Sequence, residues 1–82
     1  MKRGLVVGRC WATRRVDSLP QGALLEIEFM DGSRVIAVDP LGCNEGENVL
    51  VTEGSVASHF FGKLQATVDA VIVGSLDDEQ GT

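Results

Sequence analysis

Ala37-Val38-Asp39-Pro40-Leu41-Gly42-Cys43-Asn44-Glu45-Gly46-Glu47-Asn48-Val49-Leu50-Val51-Thr52-Glu53-Gly54-Ser55-Val56-Ala57-Ser58 is the stretch on which the fold turns. An apolar run stops at Asp39-Pro40, because proline has no N–H to give a sheet ladder. A glycine-punctuated acidic segment follows, from Leu41 to Asn48. Gly42 and Gly46 give it backbone freedom, and Asn44 tolerates the left-handed region better than most residues. Val49-Leu50-Val51-Thr52 is short, apolar and β-branched, and reads as a strand. Gly54-Ser55 then turns the chain, with Ser55 as the N-cap of a short helix over 55–61 that Gly62 stops. The stretch reads as a connection between two strands of a small barrel.

Working back from it, the segment Ala23–Asp39 gives the clearest local signal. Leu24-Leu25-Glu26-Ile27-Glu28-Phe29-Met30 alternates, and Ser33 to Asp39 returns. Asp31-Gly32 between them reads as a two-residue type I′ turn. That turn sets Met30 opposite Ser33, Phe29 opposite Arg34, Glu28 opposite Val35, Ile27 opposite Ile36, Glu26 opposite Ala37 and Leu25 opposite Val38. Leu25, Ile27, Phe29, Ile36 and Val38 then share the core face. Glu26, Glu28, Val35 and Ala37 share the other.

Gly4 to Thr13 is the first strand, with Leu5, Val7, Arg9 and Trp11 on one face and Val6, Gly8, Cys10 and Ala12 on the other. The second face is small throughout, which suits close backbone approach or a subunit contact. Arg14 to Gly22 is a polar loop whose Leu19 covers the core edge. Downstream of the helix, Val68 to Leu76 is the fifth strand. A helix as short as 55–61 is unstable alone, so Val56, Phe60 or Phe61 is expected to plug one barrel end. The expected fold is all-β with one short helix, a five-stranded OB-like β-barrel spanning residues 1–76, followed by an acidic tail over 77–82.

The chain has 82 residues and a formal net charge of -5. A domain this small buries only about 60% of its unfolded surface, so oligomerisation is a common supplement. The acidic balance repels nucleic acid, which wants a Lys/Arg cluster; the only basic groupings are Lys2-Arg3 and Arg9 with Arg14-Arg15. The apolar run after Met1 is broken by Gly8 and Arg9, too short for a signal segment or a membrane span. Cys10 and Cys43 match no metal spacing and read as small packing residues in a cytoplasmic protein.

The chemistry-bearing residues fail one by one on context. His59, the only histidine, has no carboxylate partner in its helix, so it reads as structural or surface. Ser55 sits in Glu53-Gly54-Ser55-Val56-Ala57, which lacks the second glycine of a nucleophile elbow. Gly42 to Glu47 opens a strand rather than a helix and carries two carboxylates, so it is no phosphate loop, and it lacks the calcium-loop spacing. Asp39 and Asp69 read as turn caps. Trp11 and Phe29 with Arg9 and Arg34 could form a base-stacking platform, but packing is the stronger account of both aromatics. No catalytic residue, cofactor or metal ligand is expected.

Taken together in order, Ala37-Val38-Asp39, Gly42, Gly46-Glu47, Val49-Leu50-Val51, Gly54-Ser55 with Ala57, and Asp69-Ala70 with Ile72-Val73-Gly74 resemble the EutN/CcmL family, the pentameric vertex proteins of bacterial microcompartments and carboxysomes. Val7-Gly8-Arg9 with Trp11-Ala12-Thr13-Arg14 resembles that family's first strand. Asn44 stands where glycine is usual, and Ser58 where arginine is common. The resemblance implies an OB-like barrel assembling into a homopentamer with a narrow central pore. It also implies hexameric and trimeric shell proteins as partners, without nucleic acid or membrane. On this reading Gly42, Asn44, Glu45, Gly46 and Glu47 are candidates for a subunit interface or the pore, and Gly54 and Ser55 for the turn and helix cap. A ligand- or nucleic-acid-binding OB-like module and a small enzyme are the competing readings.

Overall fold

Period-two alternation and β-branched runs build five strands: β1 (Lys2–Cys10), β2 (Ala23–Phe29), β3 (Arg34–Asp39), β4 (Asn48–Glu53) and β5 (Ala70–Leu76). The computed structural model describes residues 1–11, 14–15, 22–54 and 69–76. The expected helix over 55–61, with Ser55, Val56, His59, Phe60 and Phe61, lies outside them, as do Leu19 and the tail 77–82.

The strands close into a barrel in the order β1-β2-β3-β5-β4. β1 pairs antiparallel with both β2 and β4, while β3 meets β5 in parallel at Val38 and Val71. Closure explains why β1 starts at Lys2, earlier than the sequence suggests: Lys2 and Arg3 pair with Val51 and Leu50. The interior is filled by Val6, Leu25, Ile27, Phe29, Ala37, Val49, Val51, Ala70 and Ile72, with Cys43 from the β3–β4 loop.

The β2–β3 hairpin forms where expected but is one residue out of the expected register. Glu28 faces Arg34, Ile27 faces Val35, Glu26 faces Ile36 and Leu25 faces Ala37. The loop has three residues, Met30, Asp31 and Gly32. Gly32 N–H donates to Phe29 O at 2.9 Å, and Phe29 N–H donates to Ser33 O at 2.9 Å. A type I′ turn needs positive φ at both central residues, and among the described residues only glycines have it; Gly32 is at φ 87°. Asp31 instead accepts from Ser33 N at 2.9 Å and Ser33 Oγ at 2.6 Å, which fixes a type I turn closed by a glycine bulge. A one-residue shift turns every β3 side chain over. Ala37 is therefore buried, Val35 packs against the core, and Ile36 is 53% exposed. Val38 leaves the main core for a second cluster with Val71, flanked by Leu24 and Val73.

β1 also departs from constant alternation. Its register with β2 shifts between Val6 and Gly8. Leu5 pairs with Glu28 and Gly8 with Glu26. Both glutamates lie on the outer face, so Leu5, Gly8 and Cys10 face outward while Gly4 and Val6 face inward. The bulge at Val7 thus splits each of the two faces expected for the strand. Gly4 is the close-approach glycine: a Cβ there would collide with Ile27 Cγ2 and lie 3.3 Å from Glu28 O.

Candidate functional site

Pro40 ends β3, and the chain must then cross to β4 within eight residues. Asp39 makes that crossing possible. The residue is 3% exposed; its Oδ1 accepts from Leu41 N–H at 2.9 Å and Oδ2 from Cys43 N–H at 2.6 Å. The expected capping role of Asp39 is what the carboxylate does. Gly42, between the two donors, takes φ 84°. The turn drives Cys43 into the core, where burial first, and then the negative charges of Asp39 and Glu47, push its thiol up to about 11. Cys43 is thus a protonated packing residue at neutral pH.

The second half of the loop is tied to both neighbouring strands. Gly46 N–H donates to Val6 O at 2.9 Å and Val6 N–H donates to Glu47 O at 3.0 Å, which continues the β1–β4 ladder into the loop. Glu47 Oε2 accepts from Asn44 N–H at 3.0 Å, and Oε1 accepts from the Ser75 hydroxyl on β5 at 3.0 Å. Those bonds, the Asn44 amide first, hold the Glu47 carboxyl below its ordinary value of 4.5. Gly46 sits at φ 90°, while Asn44 has no positive φ. The left-handed tolerance expected to matter at Asn44 is therefore not used; Gly42 and Gly46 carry the two left-handed positions in this loop.

The candidate loop residues Gly42, Asn44, Glu45, Gly46 and Glu47 are brought together in one turn structure. Gly54, at φ 78°, donates its N–H to Asp69 O at 2.7 Å, clamping the end of β4 to the start of β5. Ser55 lies outside the described residues. The loop's amides at Leu41, Cys43 and Asn44 are given to carboxylates of the same chain, so they form no cradle for a phosphate. Among the described residues no three His, Cys, Asp or Glu side chains are grouped to hold a metal ion. The partnerships of Glu47 with Ser75 and of Gly46 with Val6 link residues far apart in sequence, and no local signal marks them.

The four residues of the possible stacking platform do not converge. Phe29 is 7% exposed in the core, with Lys2 Nζ 4.8 Å from its ring centroid. Arg34 reaches Glu26 at 3.4 Å and Glu28 at 3.8 Å across the outer face of the hairpin. Trp11 does not pack, contrary to expectation: it is 83% exposed at the end of β1, with Arg9 5.5 Å from its ring centroid.

Against this geometry stand the likenesses to known proteins. A family model described as "Ethanolamine utilisation protein EutN/carboxysome" matches residues 1–77. The bacterial microcompartment shell vertex protein GrpN of Rhodospirillum rubrum is 35% identical, over 94% of this chain and 93% of its own. The carboxysome shell vertex protein CcmL of Thermosynechococcus vestitus is 30% identical, over 94% and 84% respectively. Among solved structures, a pentameric shell protein from the RMM microcompartment superposes with a TM-score of 0.89 at 46% identity, covering 100% of this chain and 96% of that one.

Proposed function

The chain belongs to the EutN/CcmL family, and from that premise we propose that five copies of it close into a ring that caps a vertex of a bacterial microcompartment shell in the cytoplasm. The observation that carries this reading is the match, over the whole chain, between a closed barrel and a pentameric shell protein. The relatives named above are shell vertex proteins, and the reading assigns no catalytic step.

The work is geometric. A ring needs a head-to-tail interface whose rotation closes after five copies. Five-fold units supply curvature where six-fold tiles alone would make a flat sheet. Hexameric and trimeric shell proteins of the same compartment are the partners this implies, with no part for nucleic acid or a membrane. The loop Gly42–Glu47 is proposed as a subunit-contact surface. It is rigidly held by Asp39, Val6 and Ser75, yet Gly42, Asn44, Glu45 and Gly46 stay exposed.

Size-exclusion chromatography with light scattering tests the ring. A species of about five times the 8.7 kDa chain mass is expected at micromolar concentration. Mixing with shell tiles should then give closed particles where the tiles alone give sheets or tubes. A monomer that leaves tile assembly unchanged would sink the reading.

A further inference from the structure

Trp11 is the only tryptophan of the chain and is 83% exposed, although tryptophan is highly buried on average. The Arg9 guanidinium lies over it, 5.5 Å from the ring centroid. A second feature complements it: an open groove of about 400 Å³ on the outside of β1 and β2. Leu5, Phe29 and Met30 give the groove apolar walls, and Arg3 and Glu28 stand at its rim. A groove of that volume has room for an aromatic ring. Met30 is 95% and Leu5 39% exposed, so the apolar walls are left open to water.

We infer that Trp11 of each subunit inserts into this groove of the next copy in the ring, an inference that rests on the ring proposed above. Indole and groove sit at opposite ends of the β1–β2 ribbon: Gly4 pairs with Phe29 at one end and Cys10 with Leu24 at the other. Leu5 and Trp11 are roughly 15–20 Å apart along that one chain segment, so the indole cannot fill the groove of its own subunit. The chemistry of the two surfaces matches. The Met30 thioether and the Phe29 ring are favourable neighbours for an indole. Arg3 makes no ion pair among the described residues, and its guanidinium stands where it can cover the inserted ring. Arg9, carried in with Trp11, meets Glu28, whose ion pair with Arg34 is long at 3.8 Å. The indole also adjoins the loop proposed above as a contact surface: Leu24 pairs with Val38 and Ala23 with Asp39, so Trp11 stands beside the start of that loop. One chain thus carries both halves of a head-to-tail contact, as a closed ring requires, and the similar RMM shell protein is pentameric.

The single tryptophan makes fluorescence report this site alone. In the assembled wild-type ring, Trp11 emission should be blue-shifted and poorly quenched by iodide. Met30 is almost wholly exposed in the subunit, so Met30→Glu should keep the far-UV circular dichroism spectrum while spoiling the groove. Met30→Glu and Trp11→Ala should each raise the ring's dissociation midpoint by about tenfold or more. Mixed where each alone is monomeric, the two variants should form a heterodimer, because the Trp11 of one meets the intact groove of the other. An intact ring whose Trp11 emits and quenches as a bare indole overturns the inference while leaving the ring standing. So does a ring indifferent to Met30→Glu, a mixture that stays monomeric, or a ring in which Trp11 is shielded only after shell tiles are added. A monomeric wild type overturns the ring reading, and this inference with it.

Discussion

Asp39 is a buried carboxylate held by two backbone amides, which shape the β3–β4 crossing. Asp39→Ala leaves the Cys43 amide buried without its acceptor. We expect a loss of about 2–3 kcal/mol, typical of hydrogen bonds to a charged group, read as a lower urea midpoint with unchanged slope. Glu47 acts at the loop's far end, and its folded carboxyl titrates below the ordinary value of 4.5 because the Asn44 amide and Ser75 hydroxyl favour the charged form. Between the folded value and 4.5 the unfolded chain binds more protons, so the Glu47 contribution is complete above that window and is lost as pH falls through it. Glu47→Gln should flatten the decline of stability on acidification below pH 4.5, measured by urea unfolding at a series of pH values. A decline as steep in the variant as in the wild type would remove Glu47 from the account. The capping role of Asp39 is legible in the sequence, because an aspartate before proline and three residues ahead of Gly42 is turn chemistry. The role of Glu47 is not, because its partner Ser75 is 28 positions away.

Among the elements, β1 and the β3–β4 loop use glycine for opposite reasons. Gly4 is a matter of space: an added Cβ would strike Ile27 and lie 3.2 Å from Phe29 Cδ1 and 3.3 Å from the Glu28 carbonyl, which is backbone and cannot give way. Gly4→Ala should cost about 1–3 kcal/mol by overpacking. Gly46 is a matter of conformation: nothing lies within 4 Å of a Cβ there, but φ is +90°. Gly46→Val should cost about 1–2 kcal/mol and should disturb the loop's bonds to Val6, so ring assembly should weaken with it. Chemical denaturation ranks the two in stability, and light scattering asks whether the ring survives. A Gly46→Val protein with normal pentamers and closed shells would take the loop out of the interface. The hairpin β2–β3 was legible as an element because its alternation and Asp31-Gly32 are local signals. Its register was not, because β3 reads Val35-Ile36-Ala37-Val38, apolar on both faces, and only the backbone angle of Asp31 distinguishes a two- from a three-residue loop.

For the whole molecule, the five described strands close on themselves in a barrel. A domain of this size has a limited core, and ring formation adds buried area that the single chain lacks. Stability should then depend on protein concentration: calorimetry over a hundredfold range should show the unfolding temperature rising as mass action favours the ring. A concentration-independent unfolding temperature would mean that the ring contributes nothing to folding. The exposed Trp11 belongs to this scale too. Within one subunit an aromatic residue on a strand reads as core, and only the surface of the folded barrel reveals that it lies outside.

By itself the sequence determined where five strands begin and end to within a few residues, where the chain turns, and which carboxylate caps the crossing. These are local matters, decided by side-chain period, proline, glycine and aspartate acting on their own neighbours. Tertiary structure alone decided which way the strands face. The bulge at Val7 splits the two faces of β1, and the three-residue loop turns β3 over, so that Ala37 lies inside and Ile36 outside. A period of two marks a strand but not its parity, and with apolar residues on both faces the choice falls to closure, which admits only the arrangement that fills the small interior.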